Sequence, residues 1–126
     1  MKNIDIGDTT ANADGLVCEV KDSEWKSYLY SNRGGNVIDF IENTFDGNSV
    51  IGLLKNIHVS ADMRGRGLGN AILEEALDVF IEDEDVDVVI LCVDTFEENK
   101  FNLIEWYQSK GFVKIPYCTK FLMLRP

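Results

Sequence analysis

Arg64-Gly65-Arg66-Gly67-Leu68-Gly69 stands at the centre of Leu53 to Ile81, the segment around which the rest of the chain is organised. Ahead of it runs an apolar, strand-like stretch, Val50 to Val59, broken by few polar residues. Behind it Leu68, Ile72, Ala76 and Phe80 recur every four residues. Leu73, Leu77 and Ile81 form a second row beside them, so one broad helical face is apolar. Strand, glycine-rich turn and helix in that order offer unpaired backbone N–H groups and the positive end of a helix dipole to an anion. Glycine suits the turn because a Cβ would hold a phosphate off the backbone.

Spacing separates the phosphate-binding motifs that begin this way. A P-loop requires Gly-x-x-x-x-Gly-Lys-Ser/Thr, but Asn70 and Ala71 follow Gly69 where the lysine and hydroxyl belong. The third glycine of Gly-x-Gly-x-x-Gly falls on Asn70 counted from Gly65, or on Ile72 counted from Gly67. What is left, Arg-x-x-Gly-x-Gly on Arg64, Gly67 and Gly69, resembles the acyl-CoA pyrophosphate loop of the GNAT superfamily of N-acyltransferases. Leu103-Ile104-Glu105-Trp106-Tyr107-Gln108-Ser109-Lys110-Gly111-Phe112 resembles the later helix of the same family, which ends in a tyrosine followed by Gly-Phe. The two motifs, in this order, carry the resemblance from Val50 to the C-terminus.

The resemblance implies an α/β (α+β) fold: a mixed, mostly antiparallel sheet flanked by helices, with a short N-terminal region. It implies acetyl-CoA as co-substrate and direct attack of an acceptor amine on the thioester. The backbone of Arg64, Gly65, Arg66, Gly67, Leu68, Gly69 and Asn70 would hold the pyrophosphate, with Lys55 and Lys100 near the phosphates. The strand edge at Ile57, His58 and Val59 would align the pantetheine arm and polarise the carbonyl. The family's helix tyrosine falls on Tyr107, the general acid for the departing thiolate; otherwise Tyr107 is an amphipathic core aromatic. A phenol of pKa about 10 can donate to a thiol near 8.5 if it is positioned. The family's CoA-contacting asparagine, seven residues before the tyrosine, is replaced by Lys100, and Asn99 one residue earlier is its substitute.

A base is also needed, because an alkylamine is mostly ammonium at neutral pH. The carboxylates that the family often carries on the strand before the loop are absent; Leu53, Lys55 and Asn56 occupy those positions. Glu42 on the preceding strand, Asp94 at the end of the central strand and His58, the one histidine, are the substitutes. A lone histidine between Ile57 and Val59 is more often structural, and a water chain ending on Glu42 or Asp94 is an equal alternative for the base.

A chain of 126 residues has room for one domain, here 1–126, and one core. An apolar fraction of 45% fits a globular protein. The net charge of −10, from 22 acidic and 12 basic side chains, argues against nucleic-acid binding, which draws its affinity from Lys and Arg on phosphates. It favours cationic or neutral acceptors, or serves solubility alone. Cys18, Cys92 and Cys118 are too widely spaced for a metal site or a disulfide framework, so a reducing cytoplasm is the expected location. No stretch approaches the roughly 20 apolar residues of a membrane span, and no apolar run follows Lys2 as in a signal peptide.

Residues 1–15 lack periodicity and either fray or form an edge element; Leu16 to Val20 alternates as a short strand. Lys21 to Tyr30 fits a helix or a strand edge, and Gly34-Gly35-Asn36 is a turn signal. Val37 to Phe45 reads as a strand, joined by the hairpin turn Asp46-Gly47-Asn48 to Val50–Val59. Asp83, Asp85 and Asp87 alternate as in a calcium loop, but Val88 takes the place of the EF-hand glycine, so a solvated loop is expected and no metal. Val88 to Val93 reads as a central strand and Asn99 to Lys110 as a helix capped by Gly111. Phe112–Ile115 and Lys120–Leu124 close the sheet.

The region before Val50 shows no clear pair of helices, which in the family wall the acceptor cleft. The amine is therefore expected to be bulky and bound at an open site, such as a protein lysine or N-terminus. The other solution is partial enclosure by a second subunit in a homodimer. A small polycationic amine also fits the charge, and a non-catalytic acyl-CoA sensor is the rival reading. Trp25, Tyr28 and Tyr30 either line the cleft or pack.

Overall fold

Alternating burial makes the N-terminal segment a hairpin. In the computed structural model, which describes residues 1–60, 65–93, 103–118 and 120–126, β1 (Lys2–Gly7) pairs antiparallel with β2 (Ala11–Glu19). Two helices follow, α1 (Glu24–Ser31) and α2 (Gly35–Thr44). Then come the ten-residue β3 (Val50–Val59) and α3 (Leu68–Asp78), which runs on into a π-turn at Val79–Asp83. The last elements are β4 (Val88–Cys92), α4 (Leu103–Ser109), β5 (Val113–Lys114) and β6 (Phe121–Leu124). The six strands form one sheet in the order β1-β2-β3-β4-β6-β5, in which β3–β4 is the parallel pair and the other pairs are antiparallel. This is the mixed, mostly antiparallel α/β architecture expected from the sequence.

Each face of the sheet carries its own apolar cluster. On one, Ile72, Leu73, Ala76 and Phe80 of α3 and its π-turn pack with Ile4, Ile6, Val17, Leu54, Val89 and Leu91. On the other, Trp25 and Leu29 of α1 and Val37, Ile38 and Ile41 of α2 pack with Leu16, Ile51, Leu53, Val88 and Ile90. β4 supplies alternate residues to both, which is why it reads as an unbroken apolar run. Phe80 lies flat on the sheet because Gly15 and Gly52 sit beneath it; a Cβ on Gly52 would come within 2.7 Å of Phe80 Cδ1.

The structure decides between the open readings of residues 1–30 and corrects those of residues 34–48. Residues 2–7 are an edge strand, and Lys21–Tyr30 resolves into α1, with Trp25 and Leu29 buried one turn apart. Val37 to Phe45 is no strand. Val37, Ile38 and Ile41 fall on one helical face and are all buried, while Asp39, Glu42 and Asn43 point to solvent. Glu42 is thus a helix residue, and its carboxylate lies 3.0 Å from Lys26 Nζ. Gly34 is the N-cap of α2, and Asp46-Gly47-Asn48 turns from that helix into β3, so it closes no hairpin. The acidic loop helps to hold the sheet together, since Asp87 Oδ2 accepts the Val50 N–H at 2.8 Å and so pins the start of β3 beside β4.

Candidate functional site

Three features converge where β3 runs toward α3. The first is a fork. β4 pairs with β3 from Ile51 to Leu54 and then ends, so along Lys55–His58 the β4-side edge of β3 has no strand beside it among the described residues. β2 continues to pair on the other side as far as Val59.

The second is a bulge at the crotch of that fork. Gly15 faces Leu54 and Asp14 faces Asn56, so Lys55 has no opposite residue. The extra residue shifts the alternation. Leu54 and Ile57, three apart, both belong to the cluster under α3, which a regular strand would forbid. By the same alternation His58 faces the α1–α2 side of the sheet, where it is exposed. Tyr28 of α1 reaches this point: its hydroxyl donates to Lys55 O at 3.4 Å, and Lys55 Nζ lies 5.6 Å from its ring centroid. Burial, with Cys92 and Asp14 nearby, raises the Tyr28 hydroxyl above its ordinary pKa.

The third is the start of α3. Gly65 and Gly67 have φ of 82° and 76°, the left-handed region that glycine enters without strain, and Gly67 is the N-cap. The first helical hydrogen bond runs from Ala71 N–H to Gly67 O at 3.2 Å, so the N–H groups of Leu68, Gly69 and Asn70 precede it. No side chain caps them among the described residues. Cβ atoms built at Gly65, Gly67 and Gly69 would meet nothing within 4 Å. Among the described residues nothing covers the turn, and the exposed Arg66 makes no ion pair. A diphosphate fits these donors: three outward amides, a helix dipole and a guanidinium. Beside the turn, a hollow of about 310 Å³ lies between Leu68 and Ile72 of α3 and the β1–β2 turn.

Tyr107 lies on α4 with its ring in the apolar cluster that includes Leu54, Ile57 and Val93. Its ring stands edge-on to Phe112 at 5.7 Å and lies 4.9 Å from Trp106. Burial pushes its pKa up to about 12, so the phenol holds its proton at any working pH. Trp106 Nε1 donates to Asn70 Oδ1 at 3.1 Å, joining α4 to the start of α3.

The structure thus brings Gly65, Arg66, Gly67, Leu68, Gly69 and Asn70 to one turn, with Ile57, His58 and Val59 on the strand that leads there and Tyr107 in the cluster below. Glu42 lies on α2, on the face of the sheet opposite α3 and Tyr107 and the same face as His58, with its carboxylate paired to Lys26. Arg64, Asp94, Asn99 and Lys100 lie outside the described residues. Trp25 is core and Tyr30 is exposed, which leaves Tyr28 as the aromatic of α1 that reaches the fork. Sequence reasoning misses Asp14, opposite the bulge, and Trp106. An isolated Asp in a loose N-terminal stretch gives no sign of its strand partner, and Trp106 reads simply as a helix aromatic.

A family model described as an acetyltransferase (GNAT) domain matches residues 24–114. No curated protein sequence matches. Among solved structures the chain resembles the NatC complex bound to Gag peptide and CoA, with a TM-score of 0.59 at 15% identity over 93% of this chain and 61% of that one. It also resembles Arabidopsis thaliana NAA60 in complex with a bisubstrate analogue, with a TM-score of 0.59 at 14% identity over 92% and 64%. The Bacillus subtilis N-acetyltransferase YlbP in complex with coenzyme A gives 0.55 at 14% identity over 93% and 60%. The chain spans about three fifths of the length of these structures.

Proposed function

The chain belongs to the GNAT acetyltransferase family, and from that membership we propose that it transfers an acetyl group from acetyl-CoA to a primary amine. The observation that carries the proposal is the glycine-built start of α3, uncapped by side chains, after a strand that has no strand beside its β4-side edge along Lys55–His58, both among the described residues. The outward amides of Leu68, Gly69 and Asn70, with Arg66, bind the diphosphate of the co-substrate. The edge of β3 at Ile57–Val59 orients its pantetheine arm.

In the reaction the amine nitrogen bonds to the thioester carbonyl carbon and the C–S bond breaks. The sulfur leaves with the bond pair and is protonated, and the amine gives up one proton. Tyr107 donates a hydrogen bond to the sulfur as charge develops there; with its pKa near 12, full transfer to a thiolate is uphill, so the sulfur leaves as thiolate and takes its proton from solvent. Glu42 lies on α2, on the α1–α2 face of the sheet, with its carboxylate paired to Lys26; it stands with His58 and Asp94 as a candidate for the base.

The acceptor enters on the α1–α2 side. These helices supply the wall that the sequence does not announce, with Tyr28 at its inner end. A protein lysine, an N-terminus or a small polycationic amine suits an acidic protein. A second reading, an acyl-CoA sensor without transfer, draws support from Lys55 and Asn56 at the bulge, where the family often places a carboxylate.

Thermal-shift titration with acetyl-CoA tests the site. Gly69→Asp places a carboxylate in the first turn of α3, where the helix dipole favours it, so stability holds while affinity falls by about tenfold or more. Undiminished binding in that variant defeats the phosphate-loop assignment. Transfer to an amine panel that drops about a hundredfold in Tyr107→Phe marks an enzyme. Tight binding with no transfer to any amine marks the sensor.

A further inference from the structure

We propose that Asn70 and Trp106 form a latch that holds Tyr107 at a fixed distance from the diphosphate-binding turn; the inference rests on the functional reading of that turn and of Tyr107. Asn70 works with two different groups. Its backbone N–H is the third outward donor at the start of α3, before the first helical hydrogen bond at Ala71. Its side-chain Oδ1 accepts the indole N–H of Trp106 at 3.1 Å. Trp106 immediately precedes Tyr107, and their rings are 4.9 Å apart. Lys110 Nζ lies 5.9 Å from the Trp106 ring centroid on its own side of the helix. A continuous line of contacts therefore runs from a phosphate-facing amide to the phenol.

α4 needs such a tether. It spans seven described residues, none fully buried, and Leu103, Ile104, Trp106 and Tyr107 are only partly covered by the cluster beneath. Its foot is fixed by the turn at Lys110–Phe112, where Phe112 N–H donates to Tyr107 O at 3.2 Å. Rotation about that foot would carry the Tyr107 hydroxyl toward or away from β3. The bond to Asn70 is exposed, so water competes for both partners and its part in folding is small. What it does fix is the separation of two elements that carry the two halves of the site. Trp106 and Asn70 are positioning residues: they act through Tyr107.

Asn70→Ala removes Oδ1 and keeps the backbone N–H, while Trp106→Phe removes the indole N–H and keeps a ring. With acetyl-CoA and the best amine of a panel, each variant lowers kcat about three- to tenfold, the loss of one hydrogen bond, and leaves the KM for acetyl-CoA nearly unchanged. The double variant is no slower than either single variant, because both remove the same contact. Asn70→Asp keeps the acceptor and therefore keeps kcat, while its carboxylate beside the diphosphate raises the KM for acetyl-CoA. Indole emission gives a reading that needs no acceptor. Titration with acetyl-CoA changes the emission of the parent protein over the constant background of buried Trp25, and the change is absent in Trp106→Phe and reduced in Asn70→Ala.

Additive rate losses in the double variant, or an Asn70→Ala effect confined to KM, overturn the latch. If acetyl-CoA binds and no amine is acetylated, an emission change undiminished in Asn70→Ala overturns it. Failure of the parent to bind acetyl-CoA, or full binding by Gly69→Asp, instead defeats the functional reading, and both are measured without touching Asn70 or Trp106.

Discussion

Tyr107, the residue proposed to assist the leaving thiolate, also has a measurable structural effect. Burial raises its pKa from 10.0 to about 12, so the native state holds its proton more tightly than the unfolded chain does. The stability this group contributes is intact below pH 10 and is lost as pH climbs through 12, because over that window only the unfolded tyrosine ionises. Melting temperatures measured from about pH 9 to 12 should therefore fall more steeply in the parent protein than in Tyr107→Phe; parallel curves would contradict the burial argument. Gly52 makes a purely structural case. Its missing Cβ leaves room for Phe80, and Gly52→Ala would press a methyl to 2.7 Å from the ring. Overpacking of this kind costs about 1–3 kcal/mol, a melting drop of roughly 4 °C or more. Shrinking the ring in Gly52→Ala/Phe80→Leu should recover part of the loss. A double variant that melts at the sum of the two single losses would place the strain elsewhere.

Among the elements, β3 carries most of the site, and its bulge is the detail that matters. Deleting Lys55 would leave the β2–β3 ladder regular and put Leu54 and Ile57 two apart, so Ile57 would stay in the α3–α4 cluster while the extra peptide unit at the fork is lost. That deletion should leave the melting temperature nearly unchanged and reduce stabilisation by acetyl-CoA, whereas Lys55→Ala, which keeps the extra residue, should change neither; equal effects of the two changes would mean the side chain matters and the bulge does not. The strand itself is legible from Val50 to Val59, because ten mostly apolar residues ahead of a glycine turn leave little choice. The bulge is not, since it depends on which residue of β2 lies opposite, a partner set by long-range pairing. α2 misleads for a nearer reason. Val37, Ile38, Phe40 and Ile41 satisfy a strand period and a helix period at once over so short a run, and only the packing of α1 against α2 decides between them. The start of α3 can be read in full from glycine spacing, whereas the tether from Asn70 to Trp106 spans 36 positions and leaves no local trace.

For the molecule as a whole, charge sets the terms on which substrates arrive. On the function proposed, a net charge of −10 surrounds a site that admits an anionic coenzyme, so the attraction has to be local: the amides and dipole of α3, with Arg66 exposed beside them. These act over a few ångströms, whereas the repulsion from the remaining surface is long-ranged and screened by salt. The acceptor meets the same long-range field with the opposite sign if it is cationic. On the α1–α2 side the exposed Asp39, Glu42 and Asp46 add to that field, and Lys26 offsets one of them. A peptide whose reactive amine is flanked by Lys and Arg should therefore show a higher kcat/KM than one flanked by Asp and Glu at low ionic strength. The ratio should shrink from about tenfold at 0.01 M salt toward unity at 1 M, as the screening length falls from roughly 30 to 3 Å. The KM for acetyl-CoA should move the other way, easing slightly as salt damps the surrounding negative charge, until the contacts at α3 are themselves screened. A peptide ratio that ignores salt would locate acceptor choice in short-range contacts at the fork, around Tyr28 and the bulge, and would remove the protein's acidity from the account of the proposed acceptor preference.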